Sequence, residues 1–225
     1  MTIRYHISKN SQTTNSKGVV RPLFFISIFI MQLNYINVVD NIVSEKLQDE
    51  IEEVYVSSFF PWNYFEHSVG VGEYKMTDNT YDTSFFSHTH YKNGQDITNY
   101  IPDVKNIPHL FAEKNKINIR NINRIRANLT RNFTDYKECN HSAIHRDWNH
   151  IFSSDSPLMF CSLLYYVNDS DGDTKFFDEN YNQIESVTPK KGRAVFFNSN
   201  ILHAGSNPIK NNIRIVINYT LEIER

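Results

Sequence analysis

Four side chains in this sequence could do chemistry together: His145, Asp147, His203 and Arg214. The first two form a His-x-Asp pair, the second histidine follows far downstream, and the arginine comes shortly after it. Two imidazoles and one carboxylate on one face of a metal leave three coordination positions open. That set suits an open Fe(II) centre better than a closed structural zinc site, where thiolates are common. A dicarboxylic acid bound at the same centre would need a fixed, bidentate counter-charge, which Arg214 can supply. A lone His-x-Asp is weak evidence, and His141 and His150 lie close enough to compete as ligands. The distal histidine and the arginine raise the odds. Arg214 sits in the apolar strand pattern Ile213, Ile215, Ile217, sharing its face with Val216 and Asn218. A charge in such company implies an assigned anionic partner.

The elements that must position these residues are mostly strands. Past Asn118 short apolar runs alternate with turn residues, and candidate strands are 124–130, 142–145, 160–167, 174–177, 184–188, 194–197, 202–204 and 213–221. Asn168–Asp173 and Pro189–Arg193 read as turns. About eight strands after a helical N-terminal part predict a mainly β domain of the double-sheet jelly-roll kind, a double-stranded β-helix or cupin-like fold. If 142–147 is extended, His145 and Asp147 at i and i+2 share a face while Arg146 points away.

Before the jelly roll, Tyr35–Val39 has strand character. Asp40 is then positioned to cap a helix carrying Val43, Leu47, Ile51 and Val54 on one face and ending near Ser57. Residues 63–112 are aromatic and turn-rich and carry no clear assignment; His88 and His90 within them read as core or surface histidines rather than ligands. Residues 1–32 form an N-terminal extension, expected to be disordered or to precede a true start at Met31, and 33–225 form the domain, with its jelly-roll core from about 118. The apolar run Leu23–Met31 is far shorter than the ~20 residues of a spanning helix and has no cleavage signature after it.

Composition is permissive. A chain of 225 residues can bury a sizeable core, and a formal charge of −2 gives no footprint for phosphate-driven nucleic-acid binding. Two cysteines outside any C-x-x-C motif fit a reducing, cytoplasmic setting.

The stretch Ser162-Leu-Leu-Tyr-Tyr-Val-Asn168, the turn Asp171-Gly-Asp-Thr-Lys-Phe176, the hairpin Val187-Thr-Pro-Lys-Lys-Gly-Arg-Ala-Val-Phe-Phe197, and His203-Ala-Gly205 followed by Arg214 complete a pattern. With the His-x-Asp pair, it resembles the Fe(II)/2-oxoglutarate-dependent dioxygenases, and among them the prolyl 4-hydroxylase-like branch, over residues ~124 to 221. Arg124-Ile-Arg-Ala-Asn-Leu129 is similar to uncharacterised, phage-type members.

The resemblance implies iron on His145, Asp147 and His203, and the 2-oxoglutarate C5 carboxylate on Arg214. It also implies a hydroxyl from Tyr166 to that carboxylate, and strand alternation puts Tyr166 on the face of Ser162 and Leu164, opposite Tyr165. Asn128 is a further candidate for the co-substrate. Two departures stand out: Asp173 replaces a glycine of the family's turn, and Arg214 falls one residue later than usual, replacing a common lysine. Loop length around Asn207-Pro208 can absorb the shift.

The implied activity couples 2-oxoglutarate decarboxylation, with Fe(II) and O2, to hydroxylation of a peptidyl or free amino-acid side chain. Asp147 speaks against a halogenase, in which a small residue replaces the carboxylate. An AlkB-like nucleobase oxidase is the alternative, weakened because Glu222 stands near the place of that group's second arginine. A catalytically inactive jelly-roll binding protein is the third reading.

Overall fold

The computed structural model describes residues 35–67, 76–98, 104–147 and 156–224. Two antiparallel sheets face each other. Strands β1 (Ile36–Val39), β2 (Asn63–Phe65), β3 (Phe85–Lys92), β4 (Gln95–Asp96), β5 (Ile119–Arg131), β6 (Leu158–Tyr166), β9 (Ala194–Asn198) and β11 (Ile213–Glu224) build the major sheet. Its order is β1-β9-β6-β11-β5-β3-β2, with β4 on β3. Strands β7 (Thr174–Phe177), β8 (Gln183–Val187) and β10 (Leu202–Gly205) form the minor sheet in the order β10-β7-β8. This is the jelly-roll layout expected from the strand pattern.

Alternation along the central strands separates two apolar layers. Ile215, Ile217, Tyr219 and Leu221 of β11, with Leu163 and Tyr165 of β6, pack under helices α1 (Glu45–Val56) and α2 (Ile107–Asn115). Val216, Leu164 and Tyr166 point the other way and meet Phe176, Val195 and Phe197 between the sheets. The second layer is smaller, because polar residues take over its open end.

Several expectations change at the edges. Ser44, not Asp40, caps α1, its Oγ accepting from the Leu47 amide, and the buried face runs through Gln48, Ile51 and Tyr55. Asp40 instead accepts from both Nε and Nη2 of Arg193, at 2.6 and 3.0 Å, tying the first strand to the 189–193 turn. Segment 142–145 is not a strand. It touches the minor sheet through an isolated antiparallel bridge between His145 and His203, because Asp147 bends away immediately afterwards. The unassigned region 63–112 supplies β2, β3, β4 and most of α2. There His88 and His90 are buried, their rings 4.6 Å apart. His90 Nε2 meets the Tyr55 hydroxyl at 2.9 Å and His88 Nδ1 donates to the Pro61 carbonyl, so both are core histidines. The 1–32 extension lies outside the described residues, and none of the described helices is long and apolar enough to cross a membrane. Both cysteines are free.

Candidate active site

The two histidines are locked to each other before any ligand arrives. His145 and His203 exchange both backbone hydrogen bonds, at 3.0 and 2.9 Å, and their rings stand 4.5 Å apart. Each imidazole also donates its Nδ1 proton to a carbonyl two residues back, His145 to Ala143 at 3.1 Å and His203 to Ile201 at 2.9 Å. A carbonyl can only accept, so Nδ1 carries the proton and Nε2 keeps its lone pair for a metal. Asp147 completes the set: one ligand atom from each of the three lies within 4.8 Å of the others.

Three neighbours fix the carboxylate. Ser162 donates to Asp147 Oδ2 at 2.6 Å, and Ser199 in turn donates to Ser162 at 2.9 Å. Asn218 Nδ2 reaches Oδ2 at 3.3 Å, and Arg124 stands 3.6 Å from Oδ1. Burial pushes the carboxyl pKa up, but the cationic surroundings of His203, Arg124 and His145 and the Ser162 hydroxyl outweigh it. Asp147 therefore sits well below the ordinary carboxylate range. Burial works in the same direction as the His145 neighbour on His203, pushing it down to about 4. Anionic carboxylate and neutral imidazole are the protonation states a metal ligand needs. His141 does not join: its Nδ1 bonds the Ser142 carbonyl and its Nε2 faces Thr77. His150 lies outside the described residues.

A cavity of about 300 Å³ opens between the sheets over this triad. Its floor is a ladder of cross-strand neighbours, Thr220 beside Arg124, Asn218 beside Arg126, Val216 beside Asn128 and Arg214 beside Thr130. Arg214 is buried (5% exposed), stacks over the Tyr166 ring at 5.6 Å and donates to Thr174 Oγ1 at 2.9 Å. No carboxylate pairs with it among the described residues, and its Nε has no hydrogen-bond partner there; nor does Thr130 Oγ1 beside it. Buried donors left in this way mark a place for an anion. Burial also pulls the Arg214 pKa down, although the neighbouring tyrosines resist it.

Tyr166 and Asn128 fall differently from expectation. Tyr166 is on the Arg214 face and Tyr165 in the layer beneath the helices, as alternation required. Yet the Tyr166 hydroxyl ends on Thr174 Oγ1 at 2.7 Å, and Thr174, not Tyr166, lines the cavity. Asn128 lines the cavity while its Oδ1 accepts from Ser87. Sequence reasoning passed over Thr174, Ser162, Asn218 and Arg124. For the last three a signal existed, since they share strand faces with Tyr166, Arg214 and Asn128.

Residues 131–221 match the family model of the 2OG-Fe(II) oxygenase superfamily. The fold is similar to an oxidoreductase of the 2OG-Fe(II) oxygenase family from Burkholderia pseudomallei, with TM-score 0.57 and 11% identity over 95% of this chain and 94% of that one. It is also similar to a prolyl hydroxylase from Trichoplax adhaerens, solved in complex with a hypoxia inducible factor oxygen degradation domain peptide fragment. There the TM-score is 0.55 and identity 11%, covering 88% and 89% of the two chains. A viral collagen prolyl hydroxylase from Paramecium Bursaria Chlorella virus-1 gives TM-score 0.50 at 15% identity, covering 96% and 100%. No curated protein matches in sequence. Residues 131–221, and with them the chain, belong to the 2OG-Fe(II) oxygenase superfamily, whose enzymes use Fe(II), 2-oxoglutarate and O2.

Proposed function

We propose that this dioxygenase hydroxylates a peptidyl or free amino-acid side chain, with His145, Asp147 and His203 holding Fe(II) and Arg214 receiving the 2-oxoglutarate C5 carboxylate. The observation carrying the assignment is the tautomer lock. Both imidazoles spend their Nδ1 protons on backbone carbonyls and turn Nε2 toward one carboxylate. Iron held there supplies O2 activation, coupling oxidative decarboxylation of 2-oxoglutarate to hydroxylation of a substrate C–H bond.

The chain's own part is positional. Ser162, Asn218 and Arg124 keep Asp147 ionised and aimed. Thr174 bridges Arg214 and Tyr166, so the guanidinium is held from one side and left open toward Thr130. A carboxylate there satisfies the orphaned Arg214 Nε and has Thr130 Oγ1 within the same rung. Tyr166 acts through Thr174 as a positioning residue. Asn128 lies one rung nearer the middle of the floor, within the reach of a co-substrate extended from Arg214 toward the triad.

Support for an amino-acid or peptide substrate comes from the motif resemblance to the prolyl-hydroxylase branch and from the likeness to the Trichoplax enzyme seen with a peptide. Anaerobic addition of Fe(II) and 2-oxoglutarate should give the weak visible charge-transfer band of the chelate. Succinate should then form on admission of O2. Absence of both, relative to a His203→Ala control, would overturn the assignment.

A further inference from the structure

Orphaned polar atoms on the cavity floor fall at two ends, and the co-substrate accounts for only one. Arg214 Nε and Thr130 Oγ1 share the rung assigned above to 2-oxoglutarate. At the far end, Arg124 Nε, Thr220 Oγ1 and Asn218 Oδ1 are also buried with no hydrogen-bond partner among the described residues. Thr220 is 2% exposed and Asn218 9%, and both lie on the strand face that carries Arg214. The rungs of Arg214 and Thr220 are six residues apart, about 20 Å at strand rise. One five-carbon dicarboxylate cannot serve both.

The far end is cationic. Arg124 and Arg126 both line the cavity from β5. Arg126 lies over the rings of Phe65 and Phe85, at 5.5 and 5.7 Å, and those rings stack on each other at 5.0 Å. Its Nε also donates to Ser87. Stacking on two aromatic faces fixes the plane of a guanidinium, whose edge is the part that pairs with a planar acid. Arg146, a third cavity arginine, is spoken for by Glu179 at 2.7 Å. Asp147 is the single carboxylate among the described lining residues. Iron and 2-oxoglutarate bring equal and opposite charges, so their arrival leaves the excess at Arg124 and Arg126 in place.

Resting on the oxygenase reading above, we propose that Arg126, with Arg124 beside it, receives a carboxylate of the primary substrate. The oxidised C–H bond then belongs to an acid-bearing peptide or free amino acid. The net charge of −2 disfavours a polyphosphate chain as the source of the anion.

The test uses the full-length protein with Fe(II) and 2-oxoglutarate under anaerobic conditions. Four probes are titrated: a degenerate octapeptide library containing Asp and Glu, the same library with Asn and Gln in their place, the four free amino acids, and a mixed-sequence single-stranded oligonucleotide. Retention is read by equilibrium dialysis and mass spectrometry, and the chelate band is recorded in the same samples. Acid-bearing probes should bind at least tenfold tighter than their amide partners, and the peptide and free amino-acid arms distinguish the two sources. Arg126→Gln should bring the acid-to-amide ratio close to one, while Arg126→Lys restores part of it. Equal or absent binding of acids and amides, an unchanged ratio in Arg126→Gln, or tightest binding of the oligonucleotide would overturn the subsite. A missing chelate band would instead overturn the oxygenase assignment beneath it.

Discussion

Thr174 Oγ1 accepts from Arg214 Nη2 at 2.9 Å and lies 2.7 Å from the Tyr166 hydroxyl, so one threonine couples the turn motif, the C-terminal strand and β6 at the same end of the cavity. The three positions should therefore grade in effect. Arg214→Gln removes a charge-assisted contact and should raise the 2-oxoglutarate requirement about ten- to hundredfold. Thr174→Val should cost about three- to tenfold, and Tyr166→Phe about threefold or less. Succinate formation measured against 2-oxoglutarate concentration checks the order; a Tyr166 effect larger than that of Thr174 would make the tyrosine, not the threonine, the direct contact.

Ser162 is the shortest contact of Asp147 and lies on a different strand from all three ligands. Ser162→Ala should weaken metal binding by about ten- to a hundredfold, the usual worth of a hydrogen bond that orients a ligand. The fold should survive, since a buried hydroxyl is exchanged for a methyl. Metal titration together with thermal unfolding of the metal-free protein separates the two effects.

Two glycines near the site predict opposite outcomes for the same added methyl. At Gly172 an added Cβ would lie 2.6 Å from the Ser206 carbonyl oxygen and 2.9 Å from backbone atoms of Asn207 and Pro208. Gly172→Ala should therefore destabilise by about 1–3 kcal/mol, since backbone must shift to admit it. At Gly205 the nearest atom, Arg214 Nη1, is 3.6 Å away, an ordinary contact. Gly205→Ala should unfold within about 0.5 kcal/mol of the parent in denaturant.

His90 gives a pH signature away from the site. Burial, reinforced by His88, pushes its pKa down to about 3. The unfolded chain takes up that proton near pH 6.5 and the folded one does not. Its contribution to stability is thus complete above about pH 6.5 and is lost progressively as pH falls toward about 3. Urea unfolding at pH 7.5, 6 and 5 should show this decline, and His90→Gln should flatten it. An equal slope in the variant would remove His90 as its source.

Strands with one polar and one apolar face were legible because alternation alone fixes where their side chains go. Arg214, Val216 and Asn218 share a face for that reason, as do Ser162, Leu164 and Tyr166. Periodicity had less to say where position depends on partners distant in sequence. Asp40 looks like a helix cap until Arg193, across a turn, claims its carboxylate. Strand β3 hid among aromatic residues because both of its faces carry them, so no alternation survives. Thr174 was passed over for Tyr166 because a motif names residue types, whereas the line from Tyr166 through Thr174 to Arg214 exists only once two sheets are stacked.

The mutual backbone bridge of His145 and His203 also bears on how the protein lives without its metal. Two of the three ligands are aligned by main-chain bonds that iron neither makes nor breaks. Metal loss should therefore resemble removing a bit from a finished drill: the tool stops cutting but keeps its shape. Iron scarcity or chelation would then act as a reversible off-switch, with activity returning at the rate of metal binding rather than of refolding.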